Sequence, residues 1–474
     1  MVFNSIAFLF FFLLFYFVYW RLNNKSLLRY RNLFILVASY FFYGYWDWRF
    51  LSLIFISSLV DYIVGLKIIS APTILKKKLY LLVSIITNIG MLGFFKYFNF
   101  FIESLQQILV FLPFEIQTTT LRIVLPVGIS FYSFQTLSYT IDVYRNRLQP
   151  TKDFVKFCAF VSFFPQLVAG PIERASNLLD QFNDKKVFDY SKQVIGLRHI
   201  LYGLFKKVVI ADNLGLLAEK IFDPGVSHNG FTVLAGSMIF GLQIYCDFSG
   251  YSDMAIGLAK MLNFDLMKNF ATPYFSGSFT DFWRRWHISL STWFRDYVYI
   301  PLGGNKRSPT RVNFNILVTF LLSGLWHGAK ITFLIWGALH GLMLLIEKNF
   351  PSRISKMVAA PFVFLLTSLF WLPFRAEGFT HLKSLVSSLL SMQYSVNELH
   401  TIIASIFSTP KFVALAIILS LFILVEKMIS ITDFNDWVKS KSKPVRYLTY
   451  YSLFLSILLL ANINIKPFFI YFQF

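Results

Sequence analysis

The chain has 474 residues, of which 56% are hydrophobic and only 14% charged, and its formal net charge is +20. A soluble domain carries about 25% charged residues, so this composition excludes a soluble protein and predicts an all-α polytopic membrane protein. The excess Lys and Arg residues lie mostly in short loops between apolar runs, which is the pattern of cytoplasmic loops rather than of a nucleic-acid-binding surface.

Apolar runs of about membrane-spanning length recur along the whole sequence. They lie near residues 6–20, 32–46, 49–69, 79–102, 121–141, 153–170, 195–211, 231–262, 312–346, 357–374, 404–425 and 447–465. A spanning helix takes about 17–25 residues, so these runs predict about eleven to thirteen hydrophobic segments, some of them re-entrant. We expect one integral-membrane domain, 1–474, with N-terminal spans in 1–120, a core in 121–350 and C-terminal spans in 351–474.

The basic residues predict the orientation of the chain. Clusters of Lys and Arg follow the first span at 21–31 and the third span at 67–78, and another precedes the last span at 439–446. Cytoplasmic loops carry such clusters, so both termini are predicted to lie outside the cytoplasm. The run 6–20 has no basic segment before it and no small-residue cleavage site after it, and is expected to be a retained span rather than a signal peptide.

The stretch FTDFWRRWHISLSTWFRDY, residues 279–297, is predicted to form an amphipathic helix at the cytoplasmic membrane surface. At 100° per residue its aromatic residues fall on one stripe, and Arg284, Arg285 and Arg295 fall away from it. His287 is expected at the edge of the stripe, between the polar and apolar faces.

Residues 312–346 contain two histidines, His327 and His340, and one formally charged side chain, Lys330. The run is too long for one upright helix and too short for two full helices with a loop. Together with its four glycines, this length predicts short or broken helices that meet inside the protein, with His327 near the break.

Asp247 and Asp253 lie six residues apart in YCDFSGYSDMA, and Gly250 stands between them. This spacing does not put the two carboxylates on one helical face, and the glycine predicts a bend. We interpret them as groups that hold arginines or backbone atoms at a helix break, rather than as an acid–base pair.

The motifs of serine hydrolases, nucleotide hydrolases and metalloproteases are missing, and Cys158 and Cys246 have no metal-ligand spacing, so no metal site is predicted. Histidine transfers protons near neutral pH without special tuning. For His327 the residues alone leave two interpretations open: a catalytic base, or a hydrogen-bonded core residue. His340 would not share a face with His327 on one continuous helix, and we interpret it as a packing residue.

Four strings of the sequence are similar to a known family. They are FFPQLVAGPIER (163–174), YCDFSGYSDMAIGLA (245–259), DFWRRWHISLSTWFRDYVYIPLGGN (281–305) and SGLWHGA (323–329). They resemble the membrane-bound O-acyltransferases, and within that family the bacterial alginate O-acetyltransferases and related cell-envelope acetyltransferases. The similarity runs through most of the chain, in order and with compatible spacing.

The resemblance implies a helical ring around a transmembrane tunnel that narrows where two family histidines approach. These correspond to His327 in the LWHG string, taken as catalytic, and to His287 in the RWHIS string, taken as supporting, where it positions the donor or stabilises an oxyanion. Lys306, Arg307 and Arg311 follow PLGGN, and either meet the phosphates of the donor or form an ordinary cytoplasmic loop.

The resemblance also implies the reaction. An enzyme of the bacterial plasma (inner) membrane takes an acyl group, usually acetyl, from a cytoplasmic thioester such as acetyl-CoA, with no permanently bound cofactor. It passes the group across the lipid bilayer to hydroxyls of an alginate-, cellulose- or peptidoglycan-type polysaccharide, aided by a separate periplasmic or extracellular acetyltransferase.

The C-terminal stretch KPFFIYFQF, residues 466–474, resembles the aromatic motif of a small peptide in the related D-alanyl transfer system. The tyrosine of that motif is proposed to carry the acyl group, which implies Tyr471 as an acyl relay at the outer face. The other interpretation is an aromatic residue of the membrane interface.

Three alternatives stay open. The acyl group is D-alanyl or another group for a wall polymer, or the chain is a transporter, or it is a scaffold without its own chemistry. A transporter predicts coupled charges that face one another within the membrane, and the sequence shows only Lys330, without a clear partner.

Overall fold

The structure is a computed structural model of the chain and describes residues 1–109, 121, 123–226, 229–350, 355–391 and 395–462. Every regular element in these residues is helical, which confirms the predicted all-α class. They form two compact units. The first comprises Met1–Gln193 and Leu258–Met267, and the second comprises Val194–Gly257 and the described residues from Lys268 onward. The expected single domain and its three parts stay a prediction.

The helices that lie wholly in the first unit precede residue 190 in the chain. They are α1 (Ile6–Leu22), α2 (Leu28–Asp47), α3 (Leu51–Ser70), α4 (Ile74–Leu92), α5 (Phe98–Leu109), α6 (Ile129–Tyr144), α7 (Phe154–Ser162), α8 (Phe164–Leu167) and α9 (Ala175–Leu178).

The next helix leads along the chain into the second unit. The remaining helices are α10 (Tyr190–Phe205), α11 (Asp212–Ile221), α12 (Gly230–Met261), α13 (Phe279–Arg285), α14 (Ile288–Phe294), α15 (Pro309–His327), α16 (Ile331–Asn349), α17 (Lys356–Phe370), α18 (Leu372–Arg375), α19 (Phe379–Leu390), α20 (Val396–Ile406), α21 (Thr409–Ile429), α22 (Phe434–Lys439) and α23 (Lys443–Leu460).

Six helical stretches of the described residues are long and apolar enough to cross a membrane. They are Lys25–Ser70, Ile74–Ile102, Gly230–Met261, Ile331–Asn349, Lys356–Arg375 and Thr409–Ile429. The chain is therefore a multi-pass membrane protein, as predicted. The predicted number of eleven to thirteen segments is not confirmed.

In the first unit, α3, α4 and α6 pack around a buried polar network. The Nδ2 atom of Asn88 donates to Oδ2 of Asp61 (2.8 Å), and the hydroxyls of Ser57 and Thr136 donate to Oδ1 of Asn88 (2.9 and 3.2 Å). All four side chains are fully buried. Since lipid offers no hydrogen bonds, such groups must be satisfied within the protein, and this network thereby fixes how the three helices pair.

The helix α12 continues through Gly250, so the helix break expected there is wrong. Gly250 instead allows α12 to lie close to α10. A Cβ atom at Gly250 would lie 2.7 Å from the carbonyl oxygen of Gly203, and one at Gly203 would overlap with the carbonyl oxygen of Gly250. The two glycines let the backbones of the helices touch, as small residues do in membrane helix pairs.

The run 312–346 folds as a hairpin of α15 and α16. The predicted break is confirmed, because α15 ends at His327 and α16 begins at Ile331. The expectation of shortened helices is wrong, since both have 19 residues and extend beyond the apolar run, to Pro309 and Asn349.

The glycines of this hairpin serve mainly as contact points rather than as breaks. A Cβ atom at Gly324 would overlap with the carbonyl oxygen of Phe333, and one at Gly337 with that of Phe320. Only Gly328 lies in the turn, directly after α15. The close packing of α15 on α16 therefore sets where the end of α15, and with it His327, is held.

We predict that Gly324→Ala destabilises the protein, because the added methyl group must push α15 away from α16. Overpacking of this kind costs about 1–3 kcal/mol. The measurement is thermal unfolding of the purified protein in detergent. The matched control is Gly90→Ala within α4, where a Cβ atom would meet no heavy atom of the described residues within 4 Å apart from its chain neighbours and the adjacent backbone of its own helix. Equal transitions for both variants would contradict the close packing.

Candidate active site

His287 lies between two short helices. The amphipathic helix predicted over 279–297 is divided into α13 and α14 and is followed by a π-helical turn, Arg295–Tyr299. The predicted apolar stripe is confirmed, since its residues are buried or half-buried while Arg284 and Arg295 are exposed. The expected position of His287 at the edge of the stripe is wrong, because its side chain is fully buried where the chain turns between the helices.

The backbone of His287 is in the left-handed region, at φ 43° and ψ 54°. A non-glycine residue there costs about 1–3 kcal/mol, and such residues concentrate at functional sites. The first amides of α14 are held by Asn269. The N–H of Ile288 donates to the Asn269 carbonyl (2.9 Å), and the N–H of Ser289 donates to Oδ1 of the Asn269 side chain (3.3 Å).

The imidazole of His287 contacts the same side chain. Its Nδ1 lies 3.1 Å from Oδ1 of Asn269, and its ring packs edge-on against Phe248, with centroids 4.6 Å apart. His287 lies outside the six candidate spans, and burial lowers the pKa of its imidazole to about 3. The ring is therefore neutral at pH 7, because it takes up a proton only far below that pH.

His327 is the last residue of α15 and is almost fully buried. Its ring lies among the aromatic side chains Trp326, Trp336 and Phe374, at centroid distances of 4.9, 5.0 and 5.3 Å. The ring of His287 is 6.5 Å away, at an interplanar angle of 57°. The structure thus brings together the two histidines that the sequence singled out.

His340 is also fully buried and contacts Trp336, whose ring contacts His327 as well. The comparison of helical faces made from the sequence does not apply, because His327 and His340 lie on two different helices. Within the described residues, neither ring nitrogen of His340 has a hydrogen-bond partner. Its surroundings are aromatic, with Trp283 5.0 Å and Phe370 5.3 Å away, which agrees with a packing role.

A cavity of about 570 Å³ lies between α13–α14 and the hairpin, and neither His287 nor His327 lines it, although neighbours of both do. Its walls include Ile288, which follows His287, and Ser323, which lies one helical turn before His327. Arg284 and Arg295 belong to an otherwise hydroxyl-rich and apolar lining, and the guanidinium group of Arg295 is paired with Asp296 at 2.8 Å. We call this space the α14–α15 cavity. It has the mixed lining expected of a ligand pocket.

The other predicted residues lie apart from this cavity or outside the described residues. Lys306, Arg307 and Arg311 are exposed and do not line the cavity. Lys330 is exposed at the hairpin turn. Tyr471 lies outside the described residues.

A largely buried charge cluster joins helices of the second unit, and only its two carboxylates on α12 stood out in the sequence. Lys206 Nζ lies 2.5 Å from Asp253 Oδ2, and Lys207 Nζ lies 2.8 Å from Asp247 Oδ1 and 2.7 Å from Asp212 Oδ1. The two carboxylates of α12 therefore hold lysines, not the arginines or backbone atoms that we expected. The two adjacent lysines inside the apolar stretch LFKKVVIA could have indicated this cluster from the sequence.

The cluster extends to α21. Glu426 is buried and accepts hydrogen bonds from the hydroxyls of Tyr202 and Tyr245, each at 2.5 Å. The ammonium group of Lys206 lies 4.7 Å from the centre of the Tyr202 ring. Charges that face one another in this way are what the transporter alternative predicted.

Comparison with known proteins confirms the family resemblance of the four sequence strings over most of the chain. The model of the membrane-bound O-acyltransferase family matches residues 40–372. The chain is 44% identical over 384 residues to the Pseudomonas putida protein named probable alginate O-acetylase AlgI, covering 80% of this chain and 78% of that protein. It is 37% identical over 415 residues to the peptidoglycan O-acetyltransferase of Helicobacter pylori, covering 80% and 77%. It is 27% identical over 235 residues to the teichoic acid D-alanyltransferase of Bacillus subtilis, covering 46% and 58%.

We predict that Lys206→Met destabilises the protein, because the half-buried carboxylate of Asp253 is then left without its ion-pair partner. Removing one partner of a fully buried pair costs about 3–5 kcal/mol, and the loss here should be smaller because Asp253 keeps some contact with its surroundings outside the protein. The double variant Lys206→Met, Asp253→Asn should recover part of this loss. Unfolding transitions in detergent measure both effects. Arg49→Met, which breaks the exposed pair Arg49–Asp47, is the control and should leave the transition unchanged. A double variant as unstable as the single one would contradict the pairing.

Proposed function

Because the chain belongs to the membrane-bound O-acyltransferase family, it is a membrane O-acyltransferase, and we propose that it acetylates hydroxyls of an extracytoplasmic polysaccharide. The relatives named for O-acetyl transfer to alginate or peptidoglycan match 80% of the chain. The relative named for D-alanyl transfer to teichoic acid matches 46%. This difference in coverage favours acetyl over D-alanyl and leaves the acceptor as a polysaccharide of the cell envelope.

The observation that carries the proposal is the contact between the two predicted histidines, whose buried rings lie 6.5 Å apart and whose neighbours line the α14–α15 cavity. The family resemblance supports a ring of about eleven to thirteen segments around a tunnel that narrows at this pair. In such a site water is scarce, so a thioester is protected from hydrolysis while its acyl group is transferred.

In the reaction that we propose, His327 acts as general base. It accepts the proton of an attacking hydroxyl as the hydroxyl oxygen forms a bond to the thioester carbonyl carbon. The tetrahedral intermediate collapses when the carbon–sulfur bond breaks, and the protonated His327 returns the proton to the leaving thiolate. The products are an ester and a free thiol, and His327 ends neutral. His287 supports this step beside it.

The donor is an acyl thioester, with acetyl-CoA as the simplest choice. Arg284 and Arg295 in the α14–α15 cavity suit its phosphates, because guanidinium groups bind phosphate through paired hydrogen bonds. Lys306 and Arg307 lie outside the lining, and their proposed role is to attract the anionic donor at the cytoplasmic surface before it enters.

Transfer across the membrane takes two steps in this proposal. The hydroxyl of Tyr471 attacks the thioester first, and its ester then passes the acyl group to the polysaccharide at the outer face. A separate extracytoplasmic acetyltransferase takes part in the second step. This proposal requires a protein of the bacterial inner membrane with both termini outside the cytoplasm. The basic loops of the sequence predict that orientation.

We predict that His327→Ala lowers acyl transfer from radiolabelled acetyl-CoA by about 10²–10⁴-fold, the usual contribution of a general base. The assay uses the full chain in vesicles, together with its acceptor polymer. His400→Ala, which changes an exposed histidine, is the control and should keep the wild-type rate. Wild-type rates in the His327 variant would exclude its role as base. A wild-type chain that accepts D-alanyl but not acetyl thioesters would support the D-alanyl alternative.

We predict that Tyr471→Phe abolishes transfer to the polymer and removes a labelled tyrosine ester from the protein, because the variant lacks the attacking oxygen. Mass spectrometry of the labelled chain locates the ester, and an unchanged unfolding transition shows normal folding. Tyr451→Phe, at an exposed tyrosine of α23, is the matched control. Full activity of Tyr471→Phe would instead mean direct transfer, with Tyr471 as an interfacial residue.

A further inference from the structure

Asn269 is fully buried in the segment between α12 and α13, and its side chain meets His287, Ser289 and Ser252 at once. We propose that Asn269 is a positioning residue that holds His287 in the tautomer with its proton on Nδ1, so that Nε2 presents a lone pair to the bound acyl donor. The proposal deepens the proposed function, since it defines how the second histidine takes part in the transfer.

The backbone fixes which end of the Asn269 amide faces the histidine. The N–H of Ser289 lies 3.3 Å from this atom, and a backbone N–H can only donate, so the atom must be the oxygen Oδ1. The hydroxyl of Ser289 also donates to it, at 2.9 Å. On the other side, Nδ2 of Asn269 donates to the hydroxyl oxygen of Ser252, at 3.1 Å. Turning the amide over would put donor against donor at Ser289.

The tautomer of His287 follows from this orientation. Its Nδ1 lies 3.1 Å from Oδ1 of Asn269, which can only accept, so Nδ1 carries the proton. In a neutral imidazole one nitrogen donates and the other accepts. Nε2 therefore carries the lone pair. The fixed backbone of His287, set between the two helices with its neighbours' amides bound to Asn269, keeps the ring in this orientation.

This assignment separates the two roles expected for His287. An oxyanion needs a hydrogen-bond donor, and Nε2 in this tautomer is an acceptor. It can instead hold an N–H group of the substrate, and the pantetheine arm of acetyl-CoA offers amide N–H groups of that kind. His287 thus positions the donor, while His327, which is held by aromatic packing, remains the base.

The first test reads the tautomer on the resting protein, without any transfer reaction. The full chain is labelled with ¹⁵N-histidine and studied by solid-state NMR in lipid bilayers at neutral pH, and the His287 signals are identified by their loss in His287→Gln. We expect the Nδ1–H form in the wild type and in Asn269→Asp, whose carboxylate also accepts from Nδ1. We expect a mixture of tautomers in Asn269→Leu. An Nε2–H form in the wild type, or an unchanged tautomer in Asn269→Leu, would overturn the proposal.

The second test reads the reaction. In Asn269→Leu, kcat/KM for acetyl-CoA should fall by about 10²-fold, the cost of a misplaced substrate, and Asn269→Asp should recover most of it.

Asn213→Leu removes another fully buried asparagine of the same unit, whose Nδ2 donates to the carbonyls of Val209 and Leu460, and should keep the wild-type kcat/KM. Equal losses in Asn269→Leu and Asn269→Asp would leave Asn269 with a merely structural role and overturn the proposal. Absence of acetyl transfer in the wild type would refute the proposed function alone, because the tautomer test stands without it.

Discussion

The pairing of buried lysines with carboxylates on α12 is the interaction on which the second unit depends. Lys206 and Lys207 lie among apolar helices, where an unpaired charge is costly, and Asp253 and Asp247 neutralise them at 2.5 and 2.8 Å. Ser252, the neighbour of Asp253, accepts the hydrogen bond from Asn269. The ion pairs therefore fix α12, α12 anchors Asn269, and Asn269 orients His287.

The contacts described for the two histidines differ in kind. His287 is held by directional hydrogen bonds around Asn269, whereas His327 is held by close helix contact and aromatic packing at the end of α15. The hydrogen bond to Asn269 defines which nitrogen of His287 carries the proton, and the aromatic contacts of His327 define where its ring lies. A general base accepts and returns the proton on one nitrogen, so His327 needs above all a fixed place beside the reacting groups, while a ring that holds a substrate gains from a fixed tautomer.

The sequence predicts the fold class, the membrane location and the two histidines, because hydropathy and conspicuous strings carry that information along the chain. It does not predict the division of 279–297 into α13 and α14. The apolar residues keep the spacing of one continuous helix through the whole segment, so the pattern gives no sign that the backbone turns at His287. Asn269 could not be found either, because its role arises from contacts with residues 17 and 20 positions away. The lysines of the charge cluster were hidden by the rule that treats basic residues as loop markers.

Paired charges within the membrane were expected of a transporter and not of an enzyme. The presence of the charge cluster alone does not decide between the two. A transport pathway needs charges that exchange partners as ions pass, whereas Glu426 is held by two tyrosine hydroxyls and each lysine lies within 2.8 Å of a carboxylate on a packed helix. The acyl transfer proposed for this chain moves no net charge, because the proton taken from the hydroxyl returns to the leaving thiolate. The chemistry therefore requires no proton path. The ion pairs of the cluster instead hold α12 against its neighbouring helices. A small displacement of α12 would shift His287, because Ser252 of α12 binds Asn269 and Asn269 binds His287.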